Sequence, residues 1–246
     1  MKNEAERASR LAILIDAENV RSRYAAAIFQ EVASIGEASA RRIYGDFSSD
    51  PLKSWTKNLS KHAIIPHQNF PNTAGKNSSD IALIIDAMDL LHSGRFDGFC
   101  LVSSDGDFTR LAARIREHGL DVYGFGERKT PESFRRACKR FIYIENLIAT
   151  ADQTAANSQC GGTTSTREVT QNQSPKSAVK HIQLALNQLD DADGWYFLSA
   201  VGNQLAALQP DFDPRTFGCP KLVTLIERSE KFDIRRENLK VYIRER

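Results

Sequence analysis

Four aspartates stand where a fold could gather them for chemistry. Asp16 directly follows the apolar run LAILI (11–15), Asp105 and Asp107 sit in SSDGDF directly after an apolar run ending CLVS, and Asp80 opens a segment with helical periodicity. If the apolar runs are strands of a parallel sheet, their carboxyl ends meet along one edge, where open α/β sheets bind ligands. The spacing of Asp80 to Ile84 and Met88 places it at the tip of a helix on that edge, facing inward. Four carboxylates brought together repel unless a cation neutralises them, and hard oxygen donors select Mg²⁺ or Mn²⁺. Such an ion deprotonates and orients a water and stabilises charge growing on a phosphodiester. Taken singly, Asp16, Asp80 and Asp107 suit a helix N-cap equally well, so the convergence carries the argument. Asn19 has three readings: it orients Asp16, it orients the scissile phosphate, or it is structural. Lys76 reads as a phosphate contact or as an ordinary exposed lysine, and Asp86 and Asp89 fall on what reads as the solvated face of the Asp80 helix.

Other chemistries fail on specifics. The five histidines show no i, i+4 pair for zinc, the four cysteines form no CxxC, and neither a Walker pattern nor a GxSxG elbow occurs. A second aspartate two residues beyond Asp16, as haloacid-dehalogenase-like phosphatases need, is replaced by Glu18. The cysteines read as reduced thiols. No apolar run reaches the roughly 18 residues that span a bilayer, and five apolar residues after the N-terminal stretch are too few for a signal peptide. The expected location is the cytoplasm, with no membrane partner.

The elements that would position these carboxylates alternate along the first half. Strands are expected at 11–15, 40–44, 63–68, 98–104, 120–126 and 141–145, with helices at 18–34, 80–91, 108–117 and 131–138. In the 80–91 helix, Ile81, Ile84, Ile85, Met88 and Leu91 form the expected packing stripe. Alternation of this kind implies a three-layer α/β domain around a parallel sheet. Residues 151–174 are polar, rich in Gly, Thr, Gln and Asn, and aperiodic, which reads as a flexible linker. The expected organisation is therefore a first domain over 1–150, the linker, and a second domain over 175–246. In the second, helices precede a terminal hairpin formed by KFDIRR and LKVYIRE, the order of a winged helix-turn-helix.

The net charge of +2, from 33 Lys+Arg and 31 Asp+Glu, excludes strong indiscriminate binding of nucleic acid by the whole surface. Local clusters remain. Residues 128–140 hold six basic side chains and one acid, Glu132, and residues 228–246 hold seven basic against four acidic. In the first cluster Arg135, Arg136, Lys139 and Arg140 are candidates to hold a phosphate backbone, or else form a solvated helix face.

The order IDAEN (15–19), KNSSDIALIIDAM (76–88) and VSSDGDFTRLAARIREHGLDVYGFG (102–126) resembles the NYN domain of the LabA-like group, a branch of the PIN-like nucleases. The resemblance spans residues 8–148. It implies metal-dependent ribonuclease chemistry with Asp16, Asp80, Asp105 and Asp107 as metal ligands and Asn19 as auxiliary. One departure is NSSD before the helix, where a Gly-Val-Asp type sequence is commoner. Residues 193–245 resemble the LOTUS or OST-HTH domain, a small winged helix associated with RNA. The resemblance rests on Gly194-Trp195, Phe212-Asp213, Arg215, Phe217-Gly218, Lys221-Leu222 and the hairpin. Trp195, Phe197 and Phe217 read as core there, while Lys221, Arg235, Arg236 and Lys240 are candidates for phosphate contacts. The whole reads as a ribonuclease requiring Mg²⁺ or Mn²⁺, with an RNA-recruiting C-terminal domain that could also take a protein partner. The alternative is a non-catalytic RNA-binding or protein-interaction adaptor.

Overall fold

The computed structural model describes residues 7–70, 78–148, 173–191, 193–238 and 240–246. Lys76, Cys160 and residues 151–172 of the segment read as a linker lie outside the described residues, while Ser174 caps the turn that opens the second unit, its side chain accepting from the Lys176 N–H. The chain divides into two compact units, one ending at Ile148 and one beginning at Ala149.

The first unit is built on six strands: β1 (Arg10–Asp16), β2 (Glu37–Gly45), β3 (Ile65–Gln68), β4 (Gly98–Val102), β5 (Asp121–Gly126) and β6 (Arg140–Tyr143). All pairings are parallel, in the order β3-β2-β1-β4-β5-β6. Five helices connect them: α1 (Ala25–Ile35), α2 (Thr56–His62), α3 (Ser78–His92), α4 (Thr109–Glu117) and α5 (Glu132–Ala137). Because a parallel sheet is covered on both faces, β1 is apolar without alternation, and its side chains serve two cores. Leu11, Ile13 and Ile15 join α1 residues such as Ile28 and Val32. Ala12 and Leu14 join Leu83, Leu111 and Phe134 from α3, α4 and α5. The three-layer α/β expectation is met. Not expected were the 3-10 turn Asp50–Trp55 and helix α2, which follow it directly.

Helix α3 is rotated from its expected orientation. Its buried residues are Ser79, Leu83, Ala87, Leu90 and Leu91, whereas Ile81 and Ile85 are 59% and 58% exposed. At 100° per residue the buried face is centred about 170° from Ile81 and Ile85, while Leu91 of the expected stripe is buried and Ile84 and Met88 pack at the core's edge. This rotation turns Asp86 toward the sheet, where it pairs with Arg42 and accepts a hydrogen bond from the Tyr44 hydroxyl. The solvated-face expectation for Asp86 is thereby overturned. Burying Asp86 beside a guanidinium and a phenol satisfies its charge, and that pairing turns the helix.

The second unit comprises α6 (Val179–Leu186), α7 (Leu198–Leu208), α8 (Leu222–Ser229) and strands β7 (Tyr196–Phe197), β8 (Phe232–Glu237) and β9 (Lys240–Glu245). The expected hairpin is present as β8 and β9, and the short β7 adds a third strand in the order β7-β9-β8. Phe217 is core as expected; Trp195 and Phe197 are not among the residues of that core. No helix among the described residues is long and apolar enough to cross a membrane.

Candidate active site

The sheet order reverses between β1 and β4, so the crossovers leave on opposite sides and open a crevice at the carboxyl ends of these two strands. Asp16 ends β1 inside that crevice at 1% exposure. As an even-numbered residue of β1 it lies on the face that carries α3, whose first turn contains Asp80. Ser103 follows β4, and Asp105 and Asp107 lead into α4.

Asp16 is held by four donors. Its Oδ1 accepts from the backbone N–H groups of Glu18 (3.1 Å) and Asn19 (3.3 Å), and its Oδ2 from Asn19 Nδ2 (2.7 Å) and Ser103 Oγ (2.8 Å). Burial pushes the Asp16 carboxyl above the usual carboxylate range, against the lowering effect of these bonds. Ser103 Oγ also accepts from the Asp105 N–H at 3.1 Å, so one hydroxyl ties the ends of β1 and β4 together. Gly126 lets the end of β5 approach Ser103 from the other side, since a Cβ there would lie 2.6 Å from the Ser103 carbonyl oxygen.

Asp105 caps the 3-10 turn before α4, its Oδ1 accepting from the Asp107 N–H at 2.9 Å. Capping therefore falls to Asp105 rather than to Asp107, which is exposed. Ser79 donates to Glu18 Oε1 at 3.0 Å, joining the β1 turn to the start of α3. The Asp80 carboxyl is pushed up to about 6, first by burial and then by the charges of Asp16, Asp105, Glu18 and Asp107. Five carboxylates thus share one electrostatic neighbourhood.

Whether these residues suit a divalent cation is a question of donor chemistry and spacing. The donors are hard oxygens with excess negative charge, which fits. Among the described residues no group of three His, Cys, Asp or Glu side chains is arranged to hold an ion. The donor chemistry fits Mg²⁺ or Mn²⁺, while the side-chain arrangement offers fewer than three of these groups to one ion, so water or substrate oxygens would have to complete a shell here.

A cleft of about 550 Å³ adjoins the β1 turn, lined in part by Glu18, Asn19, Arg21, Arg23, Trp55 and Lys129. Trp55 Nε1 donates to the Val20 carbonyl at 3.1 Å and fixes the cleft's far wall. Arg21, Ser103 and Glu18 were not singled out in the sequence, while Lys129 belongs to the 128–140 basic cluster and pairs with Glu127 at 2.9 Å. The expected basic cluster is dispersed. Arg135 bonds the Thr130 carbonyl and the Tyr143 hydroxyl, and Arg136 pairs with Glu132. Lys139 pairs with Asp121 and Arg140 with Glu31, and both stand at the opening end of β6, opposite the carboxylate edge. In the second unit Lys221 precedes α8, Arg236 pairs with Glu227, and Arg235 and Lys240 lie on the hairpin.

The family model for the NYN domain matches residues 10–145, and that for the OST-HTH/LOTUS domain matches residues 173–244. The chain is similar to the crystal structure of a protein of unknown function from Vibrio parahaemolyticus, with 21% identity and a TM-score of 0.48, covering 58% of this chain and 96% of that one. No curated protein matches the chain.

Proposed function

We propose that this chain, which belongs to the NYN-domain family of PIN-like nucleases and carries an OST-HTH/LOTUS domain behind it, is a ribonuclease that uses a divalent metal ion to hydrolyse RNA phosphodiester bonds. The observation that carries this reading is the meeting of three acidic segments at the sheet's switch point, where Ser103 joins Asp16 to the Asp105 backbone and Ser79, beside Asp80, bonds Glu18. When bound, Mg²⁺ or Mn²⁺ would supply an acidified water and neutralise charge developing on the phosphate.

The residues divide the work by their bonding. Asp80 accepts no hydrogen bond among the described residues, and Asp105 keeps one oxygen outside its cap, so these two are the readiest to ligate, with Asp107 beside them. The four donors on Asp16 fill its lone-pair sites, and it would act chiefly as fixed negative charge unless it releases one of them. Asn19 and Ser103 hold Asp16 in position. Arg21 and Lys129 line the cleft and would take the RNA backbone up to the carboxylates, giving affinity without sequence preference. The C-terminal unit would recruit RNA and raise its concentration at this edge.

The test is cleavage of end-labelled single-stranded and structured RNA by the full chain with Mn²⁺, with chelator, and by Asp80→Asn and Asp105→Asn. The proposal expects cleavage with Mn²⁺ alone and a loss of roughly a hundredfold or more in either variant, beyond what an outer-shell change costs. Cleavage that survives both chelation and substitution would come from a contaminant and end the enzymatic reading.

A further inference from the structure

The side of the C-terminal sheet turned away from its core carries rings and cations in alternation. Cross-strand register places Tyr196, Ile243 and Ile234 in one row, toward the core, and Phe197, Tyr242 and Arg235 in the next, on the opposite side. Arg244 faces Asp233 one row further on, beside Trp195. The guanidinium carbons of Arg235 and Arg244 lie 4.6 and 4.7 Å from the centroid of the Trp195 ring. Arg235 is also 5.4 Å from the Tyr242 ring, Lys240 Nζ is 5.9 Å from that of Phe197, and the Phe197 and Tyr242 rings are 5.7 Å apart.

None of these three aromatic residues belongs to the core cluster, and Phe197 is 39% exposed. Core packing therefore does not explain them. The carboxylates among them, Asp233 and Glu237, are bridged by Arg244, Arg246 and Arg235, and Lys240 adds a further positive charge. Aromatic and arginine side chains are common to protein- and nucleic-acid-binding surfaces, but lysine is depleted from protein interfaces, so Lys240 over Phe197 and the excess of cations on this face favour a polyanion. Flat π faces interleaved with guanidinium groups fit a polyanion whose bases are unstacked. An A-form duplex keeps its base faces covered, so it cannot use such a ladder.

We propose that this face, Trp195, Phe197 and Tyr242 with Arg235, Lys240 and Arg244, is a stacking platform for about two or three unpaired bases of single-stranded RNA. The inference rests on the reading that the C-terminal unit recruits RNA, and it locates that recruitment on the sheet rather than on a helix. Arg235 and Arg244 lie over Trp195 in the free chain, so a base takes a face of that ring as one guanidinium swings off it to the RNA backbone.

The test uses the full chain in chelator, so that binding is read without cleavage, with fluorescein-labelled oligoadenylate and a labelled RNA hairpin of matched length. The sequence has two tryptophans and Trp55 lines the cleft of the first unit, so the share of the oligoadenylate quenching that disappears in Trp195→Phe reports Trp195. Expected are quenching, single-strand binding several-fold tighter than to the hairpin, and roughly tenfold weaker binding in Trp195→Ala, the size of one lost stack. Trp195→Phe keeps a π face and should retain most of the affinity, while Arg244→Gln should lower the salt slope by about one. If Trp195→Ala is poorly folded by its melting curve, Phe197→Ala and Lys240→Gln carry the comparison. Wild-type binding that Trp195→Ala and Phe197→Ala leave unchanged overturns the platform while recruitment stands. Equal affinity for hairpin and single strand overturns stacking in favour of groove binding. Absence of any RNA binding by the wild type defeats the recruitment reading itself.

Discussion

Ser103 is the side chain on which the site's order turns. One hydroxyl donates to Asp16 and accepts from the Asp105 backbone, joining the two strand ends that flank the crevice. Ser103→Ala leaves a buried carboxylate short of a donor, and its effect should resemble that of an outer-shell metal partner, about 10- to 100-fold in cleavage rate with the fold intact. Asp80 gives a prediction with a defined sign. Its carboxyl is raised to about 6, so the folded chain holds this proton more tightly than the unfolded chain does. The resulting destabilisation sets in as pH rises from about 4 and is complete above about 6. Asp80→Asn should therefore melt higher than wild type at pH 7.5 without metal, by about 2 °C after solvent screening, with the difference gone below pH 4. Equal melting temperatures at pH 7.5 would argue that the carboxylates do not share a field. The aspartates were legible in the sequence because each adjoins an apolar run. Ser103 was not, since its role arises only when parallel pairing sets β4 beside β1.

Among the elements, α3 shows most clearly how pattern and packing part company. Its sequence is apolar on most sides, so the bulk of Ile81, Ile84, Ile85 and Met88 outweighs the signal from Leu83, Ala87 and Leu90. The deciding contact is polar. Asp86 reaches Arg42 and Tyr44 on β2 and lies 3.8 Å from His67 on β3, and no periodicity of apolar residues carries that information. The observed rotation predicts that Leu83→Ala costs about 2–5 kcal/mol of stability, whereas Ile85→Ala stays within about 0.5 kcal/mol. Denaturant unfolding of the two variants checks this, and the opposite ranking would restore the Ile81–Ile85 stripe as the packed face. The 3-10 turn at Asp50–Trp55 escaped notice for a related reason. It is short, begins with Asp-Pro and has no apolar period, yet Leu52 and Trp55 are buried and form a wall of the cleft.

At the scale of the whole molecule, two units with separate cores divide the labour that the proposals assign them. Removing residues 175–246 should weaken binding to single-stranded RNA while leaving the intrinsic cleavage rate of saturated substrate unchanged. Loss of both together would mean that the units form one site. The two-domain order was readable because the composition changes sharply after residue 150, and the near-neutral net charge concealed an acidic sheet edge and a cationic, aromatic sheet face. Cleavage assays depend on offering a suitable RNA, but the ion does not. Titrating Mn²⁺ into the full chain at pH 7.5 and counting bound ions by electron paramagnetic resonance tests the carboxylate edge without any substrate. Saturable binding that weakens at least about tenfold in Asp80→Asn and Asp105→Asn is expected; Mn²⁺ bound equally by wild type and both variants, or not at all, would mean that these carboxylates hold no ion.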